Sequence, residues 1–378
     1  MPLTTDHLQI RDAVRRFARE QLAPNAAQWD RDKHFPREQV AALAAMGLCG
    51  VAIPEEHGGA GMDYSALAIA CEEISAGDGS TCTIIMVTNL IANIVRGYGN
   101  AAQKKAFLEP LAQGRMLGAF CLTEPHAGSD AAAISTRAER SGGHNVLNGV
   151  KQFVTSGRNA DLAVVFAVTD RAAGKKGISA FVVPTSTPGY TVARIEDKTG
   201  QRASDTAQIV LENCKVPAAN LLAEEGTGYR IALANLESGR INVAAQATGM
   251  AQAALEAALS YAAERSSMGK TLIEHQAVNF RLADMATGIE ASRQLYLHAA
   301  QLRDSGTPCL KEASMAKLFA SETAEKVCSD AIQIHGGYGY VSDFPVEQIW
   351  RDVRVCQIYE GASDIQRLVI GRALEGAS

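Results

Sequence analysis

The sequence predicts a mainly α-helical protein with a central β domain, and three changes of pattern along its 378 residues support this. Up to residue 115, apolar side chains recur at helical spacing. Between 116 and 222, short β-rich runs alternate with Gly, Pro, Asn and Asp, which favours an antiparallel barrel or sandwich. Beyond that point, long alanine-rich segments predict a helical bundle. We therefore expect an N-terminal helical domain at 1–115, a middle β domain at 116–222 and a C-terminal bundle at 223–378.

In the N-terminal domain the first helix begins after Thr4 and Thr5, and Pro24 is expected to end it. Asn100 is expected to cap the last helix of the domain. A glycine-rich loop at residues 54–61 superficially resembles a phosphate cradle, but no strand-to-helix unit surrounds it, so we interpret it as a turn. The other helices are predicted at residues 37–46, 64–76, 81–95 and 101–112.

The middle domain is predicted to contain strands at residues 117–122, 145–147, 162–168, 178–183, 190–192 and 207–211. Helices are predicted in the C-terminal domain at residues 229–264, 274–303, 309–335, 345–355 and 363–374. Helices of this length fit antiparallel packing and contacts between subunits. The sequence contains no strand–G-x-G-x-x-G–helix unit, which argues against a Rossmann NAD enzyme.

Composition excludes several classes of function. A net charge of -5 argues against nucleic acid as the main partner, because phosphate binding requires a basic surface. No long apolar run stands out, so no membrane span is expected. The N-terminal residues 1–7 carry neither an export signal nor a transit peptide, which predicts a cytoplasmic protein. The eight cysteines are scattered without metal-binding spacing, as expected for core residues in a reducing compartment with no metal site.

Two polar stretches flank the predicted strands. The first, at residues 120–130, ends a strand in Thr, Pro, Gly and Ser, whose backbone N–H groups and hydroxyls suit a polar ring edge or a pyrophosphate. In the second, Phe153 and Thr155 lie two residues apart on one strand. They share a face, so the ring can pack on a planar cofactor while the hydroxyl bonds its edge. Taken alone, the first stretch is better explained as a turn and the second as an ordinary strand end.

Two further stretches join the C-terminal helices. Residues 265–276 lie between two long helices, where Arg265 can meet a phosphate, although a solvated helix–helix turn explains it too. Adjacent Gly336 and Gly337 follow a helix and permit close approach of the backbone to a ligand, or simply end that helix.

A single carboxylate, Glu360, is predicted on a short connector between the last two helices. Gly361 suits the end of one helix and Ser363 can cap the next. A carboxylate held between two helices can reach into a cavity, but the local sequence also fits a solvated surface acid.

In combination these stretches are specific. The chain resembles the acyl-CoA dehydrogenase family over essentially its whole length, and the resemblance is carried by Thr123-Glu124-Pro125-x-Ala127-Gly128-Ser129-Asp130, Leu282-Ala283-Asp284-Met285, Gln333-x-x-Gly336-Gly337 and Tyr359-Glu360-Gly361. It implies a helical N-terminal domain, a middle β-barrel or sandwich and a C-terminal four-helix bundle. It also implies bound FAD, an acyl-CoA substrate, a homotetramer built as a dimer of dimers, and electron-transfer flavoprotein as the electron acceptor.

The resemblance also implies roles for individual residues. Contacts with the flavin are implied for Phe120, Leu122, Thr123, Gly128, Ser129, Phe153 and Thr155, with Thr155 near N5. A neighbouring subunit would bring Arg265, Ser267, His275, Gln276, Gln333, Gly336 and Gly337 to the pyrophosphate and adenine end. Ala362 and Asp364 would close over the ADP moiety. Acyl-CoA would be held by Ser129, Glu237, Arg240, Tyr359 and Gly361, with Met86 and Leu90 at the acyl end.

The sequence departs from the family pattern at five of these positions or their neighbours: His126, Phe153, Met268, Ala362 and Asp364 stand where Gly, Trp, Phe, Thr and Gln are frequent. The last two remove a hydroxyl and add a carboxylate near the ADP moiety.

The reaction implied is α,β-dehydrogenation of an acyl-CoA, with Glu360 removing the α-proton and the β-hydride passing to flavin N5. Residues 238–242, 313–319 and 335–340 most resemble the short-chain and isobutyryl-type branch, and bulky Met86, Val87 and Leu90 would shorten the pocket. We therefore expect a short or short-branched substrate.

Three alternatives remain: an acyl-CoA oxidase, another flavoenzyme on the same fold such as a monooxygenase, and a non-catalytic CoA-binding or scaffold protein. The presence of Glu360 argues against the monooxygenase, and peroxide production or a colourless preparation would identify the other two.

Overall fold

The computed structural model describes residues 3–376, so Met1 and Pro2 of the stretch examined for a leader lie outside it. The N-terminal part is helical throughout. Its elements are α1 (Thr5–Phe17), α2 (Ala23–Asp32), α3 (Arg37–Ala45), α4 (Tyr64–Gly77), α5 (Gly79–Tyr98), α6 (Ala101–Gln103) and α7 (Glu109–Ala112), with π-helical turns at Ala18–Leu22 and Lys104–Leu108.

The helix ends follow the local chemistry of the sequence. Thr4 caps α1 by accepting a hydrogen bond from the His7 N–H, and Asn100 caps α6 by accepting one from the Gln103 N–H at 2.9 Å, as predicted. The prediction that Pro24 ends the first helical run is wrong. One π-helical turn carries the chain into α2, and Pro24 lies in the first turn of that helix, where its missing N–H is tolerated.

The middle part forms one seven-stranded sheet from β1 (Gly118–Cys121), β2 (Arg137–Ser141), β3 (His144–Thr155), β4 (Leu162–Val168), β5 (Ile178–Pro184), β6 (Tyr190–Ile195) and β7 (Thr206–Pro217). The strands follow the order β1-β4-β2-β3-β7-β6, and β5 pairs with β4. The purely antiparallel expectation is wrong in two places. Strand β1 runs parallel to β4 from Gly118↔Leu162 to Cys121↔Val165, and β2 meets β4 in a parallel pair at Arg137↔Val168.

No strand was predicted at β2, whose side chains are mostly exposed and polar. Pairing with β3 holds it in the sheet through the turn that joins Ser141 to His144. Its place in the sheet therefore comes from that hairpin rather than from an apolar face.

The C-terminal part contains α8 (Gly228–Glu264), the two-stranded hairpin β8 (Ser266–Ser267) and β9 (Lys270–Thr271), α9 (Gln276–Asp304), α10 (Leu310–His335), α11 (Val346–Val353) and α12 (Ser363–Glu375). Helix α8 is the central element: it packs on α9 and α10 of the bundle and on α4 and α5 of the N-terminal part. Its middle, from Ser238 to Ala251, is therefore buried on every side. The domain limits at 115/116 and 222/223 stay predictions.

Helix α5 is long and apolar enough to cross a membrane by length and composition alone. It is nevertheless a core helix, because 94% of its apolar window is buried inside the protein. Among residues 3–376 it is the one helix that passes that test.

Candidate active site

The connector that carries Glu360 lies between a short 3₁₀ turn, Arg354–Gln357, and helix α12. Glu360 and Gly361 both have left-handed backbone conformations, with φ of 55° and 91°. A glutamate at positive φ is strained and persists only where the surroundings hold it. The predicted cap is wrong in detail: Ala362 occupies the cap position of α12, and Ser363 is the first helical residue.

The Glu360 carboxylate points into the protein. Its Oε2 atom is buried and, within the described part of the chain, has no hydrogen-bond partner. It lies directly over Gly239 of α8, where an added Cβ would be 2.5 Å from Oε2. Glycine at position 239 therefore leaves the space that the carboxylate fills.

The charge on this carboxylate is set by burial and two cations. Burial raises the pKa of Glu360, and the nearby charges of Lys317 and Arg240 oppose that rise. A carboxylate with a raised pKa and an unshared oxygen is a stronger proton acceptor than an ordinary surface acid. The interpretation of Glu360 as a solvated loop residue does not fit this environment.

Tyr359, next to the carboxylate, is anchored by a buried chain of hydrogen bonds. Its hydroxyl donates to Oε1 of Gln246, whose Nε2 donates to Thr83 Oγ1 at 2.7 Å. The Thr83 hydroxyl in turn donates to Gln201 Oε1 at 2.6 Å. This chain connects the loop to α8, α5 and the segment after β6, so all three parts of the fold fix its position.

The stretch at residues 120–130 is shaped by a buried ion pair that the sequence did not reveal. Lys151 Nζ lies 2.7 Å from Glu124 Oε1, and the two side chains are 0% and 1% exposed. Ser135 and Thr136 also donate backbone N–H groups to this carboxylate, at 2.7 and 3.0 Å. Burial alone would raise the pKa of Glu124, but Lys151 and these donors lower it to about 2.

Phe153 is where the strand pattern fails. Its φ is 57° and the β3–β7 register shifts between Lys151 and Val154, so the strand bulges there instead of continuing as a regular strand. The bulge leaves Phe153 64% exposed although it follows two buried residues. Thr155 is half-buried, and the second stretch meets the first where the Gln152 N–H donates to the Thr123 carbonyl at 2.8 Å.

These residues fit a planar cofactor such as a flavin. An exposed aromatic ring on a bulge is costly in water and suits stacking. Phe120 packs edge-on to Phe166 at 5.1 Å and Leu122 is buried, so they supply an apolar floor. Gly128 has open space where a Cβ would stand, and Ser129 is exposed.

The two C-terminal stretches meet on the surface. The Arg265 guanidinium lies over the Tyr338 ring at 5.7 Å, and His275 Nε2 is 3.0 Å from the Ser267 carbonyl. The predicted contacts Arg265, Ser267, Gln276, Gln333, Gly336 and Gly337 are exposed, and His275 is half-buried. Together they form a polar surface that is accessible to a second chain.

Ala362 and Asp364 are the residues predicted to close over the ADP moiety. Ala362 is half-buried, whereas the Asp364 side chain is 96% exposed and lies 3.6 Å from Arg367. Ser363 Oγ is buried without a hydrogen-bond partner among residues 3–376. Sequence reasoning assigned Ser363 only a capping role, and its unpaired hydroxyl makes it a candidate ligand contact between the two predicted residues.

The predicted substrate residues on helices lie in two places, on α8 and on α5. Arg240 is buried beside Glu360, and its Nε and Nη1 atoms have no partner in the described structure, which fits a ligand oxygen. Glu237 is held 3.1 Å from Arg303. At the acyl end Met86 and Leu90 are buried on α5, and Leu90 packs in the same apolar cluster as Leu122.

Three family models match successive parts of the chain: the acyl-CoA dehydrogenase N-terminal domain at residues 4–115, the middle domain at 119–214 and the C-terminal domain at 226–375. The chain belongs to the acyl-CoA dehydrogenase family. The three-part fold, the resemblance and the assignment as an enzyme of this family are thereby confirmed.

Named relatives and solved structures agree. The chain is 47% identical to the human mitochondrial short-chain specific acyl-CoA dehydrogenase, over 97% of this chain and 90% of the relative. Butyryl-CoA dehydrogenase from Megasphaera elsdenii is 40% identical, with a TM-score of 0.97 and 99% of both chains covered. A chain in a structure described as an electron transferring flavoprotein of Acidaminococcus fermentans is 44% identical, with a TM-score of 0.98 and 99% of both chains covered.

Three buried side chains that contact the candidate site residues of this acyl-CoA dehydrogenase were not identified from the sequence. Lys151 and Lys317 are each 0% exposed, and Gln366 of α12 is equally buried. A signal existed for Lys317, which interrupts an otherwise apolar helical run at 313–319. A charged residue on the apolar side of a buried helix indicates a specific partner.

Proposed function

We propose that the chain catalyses the FAD-dependent α,β-dehydrogenation of a short or short-branched acyl-CoA thioester to its trans-2-enoyl-CoA. The observation that carries this proposal is the Glu360 carboxylate, whose Oε2 atom is buried and unpaired and which feels the charges of Lys317 and Arg240. An α-proton next to a thioester is weakly acidic, so its removal requires a base with a raised pKa in a site that excludes water.

In this proposal Glu360 Oε2 accepts the α-proton. Negative charge then develops on the thioester oxygen, which needs a hydrogen-bond donor at that moment. The backbone N–H of Glu360 has no acceptor in the part of the chain that the structure describes, so it is free to donate. Arg240 adds a buried positive charge near the Glu360 carboxylate.

The cofactor residues act by holding and orienting FAD. We propose that Phe153 stacks on its ring system, that Phe120 and Leu122 support it and that Thr155 bonds its edge. When bound, FAD supplies the acceptor for the β-hydride at its N5 atom. Arg265, Ser267, His275, Gln276, Gln333, Gly336 and Gly337 would serve the FAD of a neighbouring subunit. Ala362, Ser363 and Asp364 would close over the ADP moiety of FAD. The exposure of the first set supports this division.

Three features support a short acyl group. Met86 and Leu90 are buried on α5, and Leu90 reaches the cluster that contains Leu122. Similar proteins include a short-chain specific enzyme and a butyryl-CoA dehydrogenase. One methylene is worth about 1–3 kcal/mol in such a pocket, so we expect a preference rather than a strict limit.

We extend the proposal to the partners. Electron-transfer flavoprotein is the proposed acceptor, and one similar chain comes from a structure described by that name. A homotetramer would bring the polar surface around Arg265 to a second chain. The cytoplasm is the proposed location, and the eight cysteines are buried as free thiols.

The decisive experiment is anaerobic flavin bleaching of wild-type protein and Glu360→Gln across a panel of acyl-CoA chain lengths. We expect wild-type protein to bleach fastest with a short or short-branched acyl group. The variant should retain FAD but lose about 10²–10⁴-fold in rate, the usual contribution of a general base. Near-wild-type bleaching by the variant refutes the role of Glu360, and fastest bleaching with a long chain refutes the substrate class. Stoichiometric peroxide formation in air would indicate an oxidase instead.

A further inference from the structure

Two buried side chains donate hydrogen bonds to backbone carbonyls of the loop that carries Glu360, the base loop. Lys317, on α10, donates from Nζ to the Gly361 carbonyl at 2.5 Å. Gln366, on α12, donates from Nε2 to the same carbonyl at 2.6 Å and to the Glu360 carbonyl at 3.3 Å. Both side chains are 0% exposed. Two helices therefore hold two successive carbonyls of this loop.

These carbonyls control the direction of the base. One is the carbonyl of Glu360 and the other is the carbonyl of Gly361. Both residues have left-handed backbone conformations. A glutamate keeps such a conformation only when its peptide groups are fixed from outside. Holding the two carbonyls therefore fixes the direction of the Glu360 side chain and of its free N–H.

Lys317 also places a charge beside the base. The titratable and charged groups that face its ammonium are Cys356, Glu360 and Arg240. Burial lowers the pKa of Lys317 to about 8, so the side chain is still mostly protonated at neutral pH. Its charge and that of Arg240 oppose the rise that burial imposes on the pKa of Glu360.

We propose that Lys317 and Gln366 are positioning residues for the base: both hold the loop by its carbonyls, and Lys317 in addition places its positive charge beside the Glu360 carboxylate. This inference deepens the proposed function and rests on Glu360 being the base. The two residues act through Glu360, and neither is required to touch the substrate.

The test measures proton removal without oxidation. Enzyme whose flavin has been reduced beforehand is incubated anaerobically with butyryl-CoA in D2O, and exchange of the α-hydrogens is followed from pH 5.5 to 9. The variants are Lys317→Met, which keeps the length of the side chain, and Gln366→Leu. The matched control is Lys326→Met on the same helix, which removes an exposed charge that pairs with Asp330 at 2.6 Å. Glu360→Gln shows whether exchange depends on the base at all.

We expect Lys317→Met to slow exchange at least tenfold and to move the acidic limb of the pH profile up by roughly one unit, the scale of one nearby charge. Gln366→Leu should slow exchange without moving the limb, and Lys326→Met should match wild type. Exchange within twofold of wild type for Lys317→Met, or a slower rate with an unmoved limb, overturns the proposal.

If Lys317→Met does not yield folded flavoprotein, Gln366→Leu decides, and an unchanged exchange rate overturns the proposal. Exchange that persists in Glu360→Gln instead refutes the proposed function, so the two failures are distinguishable.

Discussion

Replacing Lys151 by Met removes the positive partner of a carboxylate that the fold has sealed from water. Glu124 is 1% exposed and cannot gain water in exchange for the lost ammonium. The backbone N–H groups of Ser135 and Thr136 still donate to it, and the Leu122 carbonyl loses the Lys151 donor that lies 3.1 Å away. We expect the variant to destabilise the segment that carries Leu122 and Thr123, both predicted flavin contacts.

The size of the effect follows from the pKa of Glu124. The folded protein lowers it from 4.5 to about 2, and each unit is worth about 1.4 kcal/mol, so the surroundings favour the ionised form by roughly 3 kcal/mol. Removal of one member of a buried pair typically destabilises a protein by about 3–5 kcal/mol, which agrees. For a chain of this length, at roughly 2 °C per kcal/mol, the apparent melting temperature should fall by about 5 °C or more.

The assay is thermal melting at pH 7, followed by far-UV circular dichroism and by flavin fluorescence, for wild type, Lys151→Met, Glu124→Gln and the double variant. The double variant should recover part of the loss, because it leaves no unpaired buried charge. The recovery is incomplete, because Ser135 and Thr136 donate to different carboxylate oxygens and a Gln amide has only one acceptor oxygen. Since the folded pKa of Glu124 is depressed, the pair stabilises fully above about pH 4.5, and this contribution disappears as pH falls towards 2. The advantage of wild type over the double variant should shrink accordingly. A fall below 1 °C for Lys151→Met, or a double variant no better than the single one, would refute the argument.

Three further substitutions test other parts of the site. Gly239→Leu should displace the Glu360 carboxylate by about 1 Å and lower kcat at least tenfold with FAD retained, whereas Gly371→Leu, which has open space on α12, should leave kcat within twofold. Phe153→Ala should raise the Kd for FAD about tenfold or more in a reconstitution titration; an unchanged Kd would exclude stacking by this ring. Leu90→Ala should move the chain-length optimum for kcat/KM towards longer acyl groups, and an unmoved optimum would place the acyl end elsewhere.

The order of helical, β and helical parts was predictable because each part buries an apolar face with its own period. Residues 162–168 are an exception: they form a continuous apolar run buried on both faces, and the predicted strand still coincides with the observed β4. Strand β2 was not predictable, because Arg137 to Ser141 carry mostly polar, exposed side chains and are strand through pairing with β3 and, at Arg137, with β4. The parallel pairing of β1 with β4 was equally hidden, since pairing direction depends on how the chain returns and not on local composition.

At the site, recognition of Glu360 needed motifs from distant parts of the chain, because its own neighbours fit a surface loop. The bulge at Phe153 was invisible, since a period of two assumes regular extended residues and a left-handed residue breaks it. The partners of buried charges could not be predicted from the sequence either. Lys317 donates to a backbone carbonyl 44 residues away, and a carbonyl carries no sequence signal.

The strained loop explains why the proposed base, Glu360, is not on one of the neighbouring helices. A glutamate inside a helix would donate its N–H to the carbonyl four residues earlier, and only its carboxylate would remain for chemistry. In the left-handed conformation at Glu360, both the carboxylate oxygen and the N–H are free of protein partners among the described residues. One residue can then provide the proton acceptor and a donor for the thioester oxygen together. That arrangement requires the loop to be held by groups that do not use either atom, and the side chains of Lys317 and Gln366 meet this requirement by bonding only carbonyls of the loop.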